Sequence, residues 1–140
     1  MAIALVVLAA GQGTRMNSDL PKVLHPIGGA PLLAHALQAG AALEPERTIV
    51  ITGHGAEAVE KTGRALDSEA RFILQEEQLG TGHAVRMAKA ELKDFEGDVL
   101  VLYGDTPFVR SETLAAMRDR RDAGADLVAV SYTHLRAHET

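Results

Sequence analysis

Cysteine is absent from all 140 residues, which excludes a disulfide framework, a thiolate nucleophile and every cysteine-based zinc or iron–sulfur site. A chain without thiols suits a reducing compartment, so a cytoplasmic location is expected. Positive charge is in deficit: 14 Lys and Arg stand against 19 Asp and Glu, a net charge of −5. That balance argues against a phosphate backbone as the main partner, and no nucleic acid is expected. No apolar run approaches the roughly 20 residues of a membrane-spanning helix. The uninterrupted apolar stretch Ala2 to Ala10 has no Lys or Arg before it, and the first charge, Arg15, follows a glycine-rich turn. It therefore reads as a buried strand rather than a signal-peptide core, and no membrane partner is expected. Internal repeats, low-complexity tracts and domain linkers are also missing.

What the chain does have is apolar content of 46%, enough for a core. At this length a single domain buries about two-thirds of the surface its unfolded chain exposes. Ile3–Leu8 is rich in β-branched residues without alternation, the pattern of a parallel strand covered on both faces. Thr48–Thr52, Arg71–Gln75, Asp98–Tyr103 and Asp126–Val130 have similar size, and between them Pro31–Leu43, Ala56–Leu66, Thr81–Leu92 and Ser111–Ala123 carry helical spacing. Pro31 suits a first helical turn, Ser111 an N-cap and Gly124 a helix end. Strands alternating with helices at this interval predict an α/β fold with a mostly parallel sheet. The gap from Ala9 to Ala30 is longer than an ordinary strand-to-helix loop and predicts a functional segment without helix.

That gap opens with Leu8-Ala9-Ala10-Gly11-Gln12-Gly13-Thr14-Arg15-Met16. Glycines after a strand let backbone N–H groups approach a phosphate, and Thr14 and Arg15 add donors and fixed charge. The same glycines also fit a plain tight turn. A dinucleotide fingerprint requires Gly where Met16 stands, and the Walker phosphate loop requires Gly-Lys followed by Ser or Thr, which occurs nowhere. Lys22, after Pro21, is either a solvated lysine or a second cation on the same loop; beside Arg15 it suits a triphosphate or a departing pyrophosphate.

Gln75-Glu76-Glu77-Gln78-Leu79-Gly80-Thr81-Gly82-His83-Ala84 follows a strand and opens a helix. Gly80 and Gly82 flanking Thr81 suit backbone close to an anion or the polar edge of a base, and Gln75 offers the donor and acceptor that a pyrimidine edge requires. The competing reading is an N-capping turn with Thr81 as cap and Gln75 in solvent. His54 and His83 lack a partner at metal spacing and read as polar loop and helix-start residues. Leu102-Tyr103-Gly104-Asp105 ends a strand at the carboxyl edge of the predicted sheet, where open α/β sheets bind ligands. A lone carboxylate there suits Mg²⁺, which takes one or two protein carboxylates and fills its other positions with water and phosphate. An Asp capping the turn before Pro107 is the alternative.

In their order and spacing, Leu8-Ala9-Ala10-Gly11-x-Gly13-Thr14-Arg15-Met16, Pro21-Lys22-Val23-Leu24-His25, the Gln75–Ala84 segment and Leu102-Tyr103-Gly104-Asp105 resemble the sugar-nucleotide pyrophosphorylases. Within them they are most similar to the uridyltransferase domain of the bifunctional N-acetylglucosamine-1-phosphate uridyltransferase/glucosamine-1-phosphate acetyltransferases. The resemblance covers residues 1 to about 130. It implies a Rossmann-like nucleotidyltransferase fold and an enzyme that makes UDP-N-acetylglucosamine and pyrophosphate from UTP and N-acetylglucosamine 1-phosphate with Mg²⁺, for cell-envelope precursors. By motif position it implies that Leu8, Ala9, Ala10 and Gly11 contact the nucleotide and that Gln75, Gly80 and Thr81 hold the uridine. Arg15 and Lys22 would stabilise the phosphates, Tyr103 and Gly104 line the nucleotide-sugar strip, and Asp105 binds Mg²⁺. A non-catalytic nucleotide-binding fragment, or a guanylyl- or cytidylyltransferase related to the molybdenum-cofactor guanylyltransferases, stays open beside it. Ser131–Thr140 matches no part of the family pattern and is expected to be a foreign tail, leaving 1–130 as a partial nucleotidyltransferase domain. The β-helix domain through which full-length family members trimerise is not in this sequence.

Overall fold

The computed structural model describes residues 2–11, 20–77, 79–106 and 109–129. Four strands form a parallel sheet: β1 (Ile3–Ala9), β4 (Arg47–Thr52), β5 (Arg71–Leu74) and β6 (Asp98–Tyr103), in the order β5-β4-β1-β6. A small antiparallel pair, β2 (Pro26–Ile27) and β3 (Ala30–Pro31), lies apart from it. The helices are α1 (Leu32–Ala41), α2 (Ala56–Leu66), α3 (Thr81–Lys89) and α4 (Ser111–Asp122). The fold is α/β with a mostly parallel sheet, as the pattern of short apolar runs predicts.

β1 does not alternate because both of its faces are covered. Ile3, Leu5, Val7 and Ala9 face one core with Leu33 and Leu37 of α1, Val59 of α2 and Leu114 of α4. Val6 on the opposite face joins Ile49, Ile51, Ala84 and Ala88 beneath α3. Both neighbours of β1 run in register with it, Ala4 beside Arg47 and Ile3 beside Asp98. After β1 the chain builds outward through β4 and β5, then returns to place β6 on the other side of β1. The sheet therefore reverses its order between β1 and β6, and at their carboxyl ends such a reversal leaves a crevice.

Several expectations are corrected. Residues 126–129 form no strand: Gly124 and Ala125 donate back to Arg121 and Arg120 to end α4, Leu127 is 85% exposed, and no ladder partner lies beside the segment among the described residues. Leu127 and Val128 suit a strand, but without a neighbouring strand the segment has no ladder hydrogen bonds to make it one. Gly124, at φ +118°, ends the helix as expected. Ser111 is the first helical residue and Arg110 the N-cap, with no side-chain cap bond, because Arg110 already has the extended backbone that a cap requires. Pro31 likewise precedes α1. The long gap before α1 is not free of helix, since Lys22–Leu24 forms a single 3₁₀ turn ahead of the β2–β3 pair. No helix among the described residues is long and apolar enough to cross a membrane.

Candidate functional site

The crevice between the carboxyl ends of β1 and β6 is a cavity of about 340 Å³. Leu8, Ala10 and Gly11 enter it from the end of β1, Lys22 and Val23 from the 3₁₀ turn, Gln75 from the end of β5, Gly80, Thr81 and Ala84 from the start of α3, and Tyr103 and Asp105 from the end of β6. The strand termini explain the convergence. Parallel strands in register finish at one edge, so every loop that follows a strand opens on the same side.

Ala9 and Gly104 do not line the cavity. Ala9 is buried beside Thr52 in the ladder. The Gly104 N–H donates to the Leu8 carbonyl at 2.9 Å, prolonging the β1–β6 ladder beyond Tyr103. A Cβ on Gly104 would lie 3.1 Å from that carbonyl oxygen and from Val23 Cγ1, so glycine here lets β6, β1 and the 3₁₀ turn close together. Arg15, Thr14 and Gly13 lie outside the described residues, as does the tail 131–140.

Lys22 and Asp105 face each other, Lys22 Nζ lying 3.2 Å from Asp105 Oδ2, with side chains 44% and 34% exposed. Sequence spacing does not announce this pair, which joins residues from two loops. No group of three or more His, Cys, Asp or Glu able to hold a metal occurs among the described residues. Asp105 is thus a lone carboxylate beside a cation, a donor set that fits a hard divalent ion only if water and substrate phosphate complete the coordination.

Gln75 does not point at solvent. It is 4% exposed, and its Nε2 donates to His83 Nδ1 at 2.8 Å, with a longer 3.4 Å contact to the Gly80 carbonyl. Its backbone N–H extends the sheet by donating to Thr52 at 2.7 Å. The structure makes Gly80, not Thr81, the N-cap of α3, at φ +98°, a conformation L side chains rarely adopt. Thr81 is the first helical residue and exposed. The first-turn N–H groups of α3 have no intrahelical acceptors and carry the positive end of the helix dipole at the cavity rim. His83 is the residue that sequence reasoning undervalued. Its position eight residues after Gln75 is the only signal, and it acquires meaning once the β5–α3 loop folds back.

Pro21 is fixed from behind. Gly55, the N-cap of α2 at φ +67°, has its Cα against the Pro21 ring, and a Cβ there would lie 2.2 Å from Pro21 Cγ. This contact sets the approach of the 3₁₀ turn that carries Lys22.

Known proteins resemble this chain in both sequence and fold. The bifunctional protein GlmU of Dinoroseobacter shibae is 62% identical over 132 residues, 94% of this chain and 29% of that protein. The chain thus spans less than a third of the length of the curated relative it matches. Among solved structures, Rv0371c of Mycobacterium tuberculosis H37Rv superposes with a TM-score of 0.74 at 28% identity, covering 87% of this chain and 61% of that one. A manganese complex of the same protein superposes at 0.71. A UDP-glucose pyrophosphorylase bound to UDP-glucose shares the fold, with a TM-score of 0.67 at 21% identity over 86% of this chain and 55% of that one. The sequence profile described as MobA-like NTP transferase domain matches residues 5–139. With nearly its whole length under that profile, the chain belongs to the MobA-like NTP transferase family.

Proposed function

We propose that this chain is the nucleotide-binding part of a uridyltransferase that makes UDP-N-acetylglucosamine and pyrophosphate from UTP and N-acetylglucosamine 1-phosphate. The observation that carries this reading is the convergence of residues from five separate segments on one cavity at the β1–β6 crevice. The identity with GlmU proteins supports the choice of substrates.

In the proposed reaction, an oxygen of the sugar phosphate attacks the α-phosphorus of UTP, a P–O bond forms there, and the bond to the bridging oxygen breaks to release pyrophosphate. The nucleophile is already anionic, so the protein need not supply a general base and acts by alignment and charge stabilisation. Gly11, with no atom of the described residues within 4 Å of a would-be Cβ, leaves room among them for a phosphate to approach the backbone. Lys22 supplies a cation that balances charge on the phosphates, and Arg15 is assigned the same task. Gln75, Gly80 and Thr81 hold the base, and Tyr103 forms the opposite wall. Asp105 is the residue that would hold Mg²⁺, and that ion, when bound, supplies positive charge to the triphosphate.

The test is pyrophosphate release from UTP and N-acetylglucosamine 1-phosphate in Mg²⁺, measured beside UTP binding. Release that requires both substrates and falls by most of its rate in Arg15→Ala and Asp105→Asn supports the reading. Preference for GTP or CTP over UTP would overturn the substrate assignment, and binding without release would leave a non-catalytic nucleotide-binding unit.

A further inference from the structure

Gln75 is nearly buried in a cavity wall, and the hydrogen-bond partners of its amide settle which way round that amide sits. The Gly80 carbonyl can only accept, so the amide atom 3.4 Å from it is the nitrogen. The same nitrogen lies 2.8 Å from His83 Nδ1. An amide nitrogen only donates, so Nδ1 is the acceptor and the neutral ring carries its proton on Nε2. Both N–H groups of the Gln75 amide are thereby engaged, one by His83 and one by Gly80. The carbonyl Oε1 accepts no hydrogen bond from the described residues, yet no buried side-chain polar atom among them is left unsatisfied. Among the described residues no donor competes for Oε1, on a side chain that lines the cavity.

An acceptor at that position is selective. Uracil presents a donor, N3–H, between two carbonyl acceptors, whereas N3 of cytosine is itself an acceptor. Gln75 Oε1 matches the uracil donor, and the unpaired first-turn N–H groups of α3 match a carbonyl beside it. Turned through 180°, the same amide would present NH₂ and match cytosine N3. Two partners oppose this turn: the Gly80 carbonyl, which can only accept, and His83, whose Nδ1 accepts the shorter hydrogen bond while the ring proton sits on Nε2.

We propose that His83 is the positioning residue that fixes the Gln75 amide with its acceptor toward the nucleobase, and so sets a preference for uracil over cytosine. This rests on the cavity being a nucleotide site, and it adds a residue whose part is played through Gln75 rather than on the base. The experiment measures dissociation constants of UTP and CTP with Mg²⁺ for the 140-residue chain and its variants by titration calorimetry, with urea unfolding as a control for folding. His83→Leu removes the acceptor and lowers the UTP-to-CTP discrimination by about tenfold, the scale of one good base-edge contact. His83→Asn, whose side-chain oxygen stands where Nδ1 stands, restores it, a rescue that general damage to the helix would not show. His83→Ala, well suited to a helix, gives the same reading should the leucine variant unfold. Parental discrimination in a folded His83→Leu or His83→Ala overturns the proposal. Parental UTP affinity in Gln75→Leu would instead remove the assignment of the base to Gln75, and no UTP binding by the parent would remove the nucleotide site itself.

Discussion

Replacing Lys22 with Met keeps most of the apolar stem and removes the charge, so it separates what the cation does for the fold from what it does for a ligand. In the ligand-free protein its partner is Asp105, 3.2 Å away, and both side chains are at least one-third exposed. Two unit charges at that distance attract by roughly 1 kcal/mol in water, and exposed pairs realise about 0.2–1 kcal/mol of it after the entropy of holding two side chains. Losing the pair therefore costs the fold under about 1 kcal/mol. A triphosphate offers Lys22 a stronger partner: a charge-assisted hydrogen bond contributes about 1.5–3 kcal/mol, from which the broken pair with Asp105 must be subtracted. The net predicts that Lys22→Met weakens UTP binding by roughly tenfold, since about 1.4 kcal/mol corresponds to each factor of ten. Calorimetric titration in Mg²⁺ and urea unfolding read the two quantities separately. The same geometry fixes a sign for the partner: in metal-free buffer Asp105→Asn frees Lys22 and raises UTP affinity by up to about fivefold, while the gain on adding Mg²⁺ disappears. Unchanged UTP affinity in Lys22→Met, or weaker metal-free binding in Asp105→Asn, would refute the reasoning.

Gly55→Ala combines a left-handed backbone with a Cβ placed 2.2 Å from Pro21 Cγ, and is expected to destabilise the chain by about 2 kcal/mol or more in urea unfolding, with UTP affinity falling as well because Pro21 leads into Lys22. The acid side of stability should involve Asp94, whose carboxyl is held below the ordinary carboxylate range chiefly by its hydrogen bond from Arg47, 2.9 Å away. A depressed folded value means that this contribution is present above the unfolded pKa of about 3.9 and is lost as pH falls through the folded value. Asp94→Asn should therefore lower the urea midpoint slightly at pH 7, with an effect that shrinks as falling pH protonates the carboxyl in the folded chain as well as the unfolded one.

How much of this was legible in the sequence depends on the separation of the residues that must meet. β1, β4, β5 and β6 each follow from a local run of apolar, β-branched residues, and α2 and α3 begin at the residues their spacing predicts. Local pattern fails where a long-range partner is missing: Leu127 and Val128 suit a strand, but among the described residues no ladder holds residues 126–129, and they stay irregular. The candidate site divides the same way. Gly11, Gly80 and Asp105 could be placed at one edge from strand ends alone, because parallel topology carries every strand-end loop to the same side. The contacts that would give those residues their chemical character join residues that sequence spacing does not pair: Lys22 with Asp105, Gln75 with His83 and Pro21 with Gly55. Two of these three pairs also invert the reading that composition favours. A lone lysine after a proline can be solvated charge, and a glutamine after a strand can point at solvent beside a Thr81 cap, until folding places a carboxylate 3.2 Å from one and an imidazole 2.8 Å from the other. Motif residues therefore locate a site of this kind, while the partners of Lys22 and Gln75 become readable only once the chain is folded.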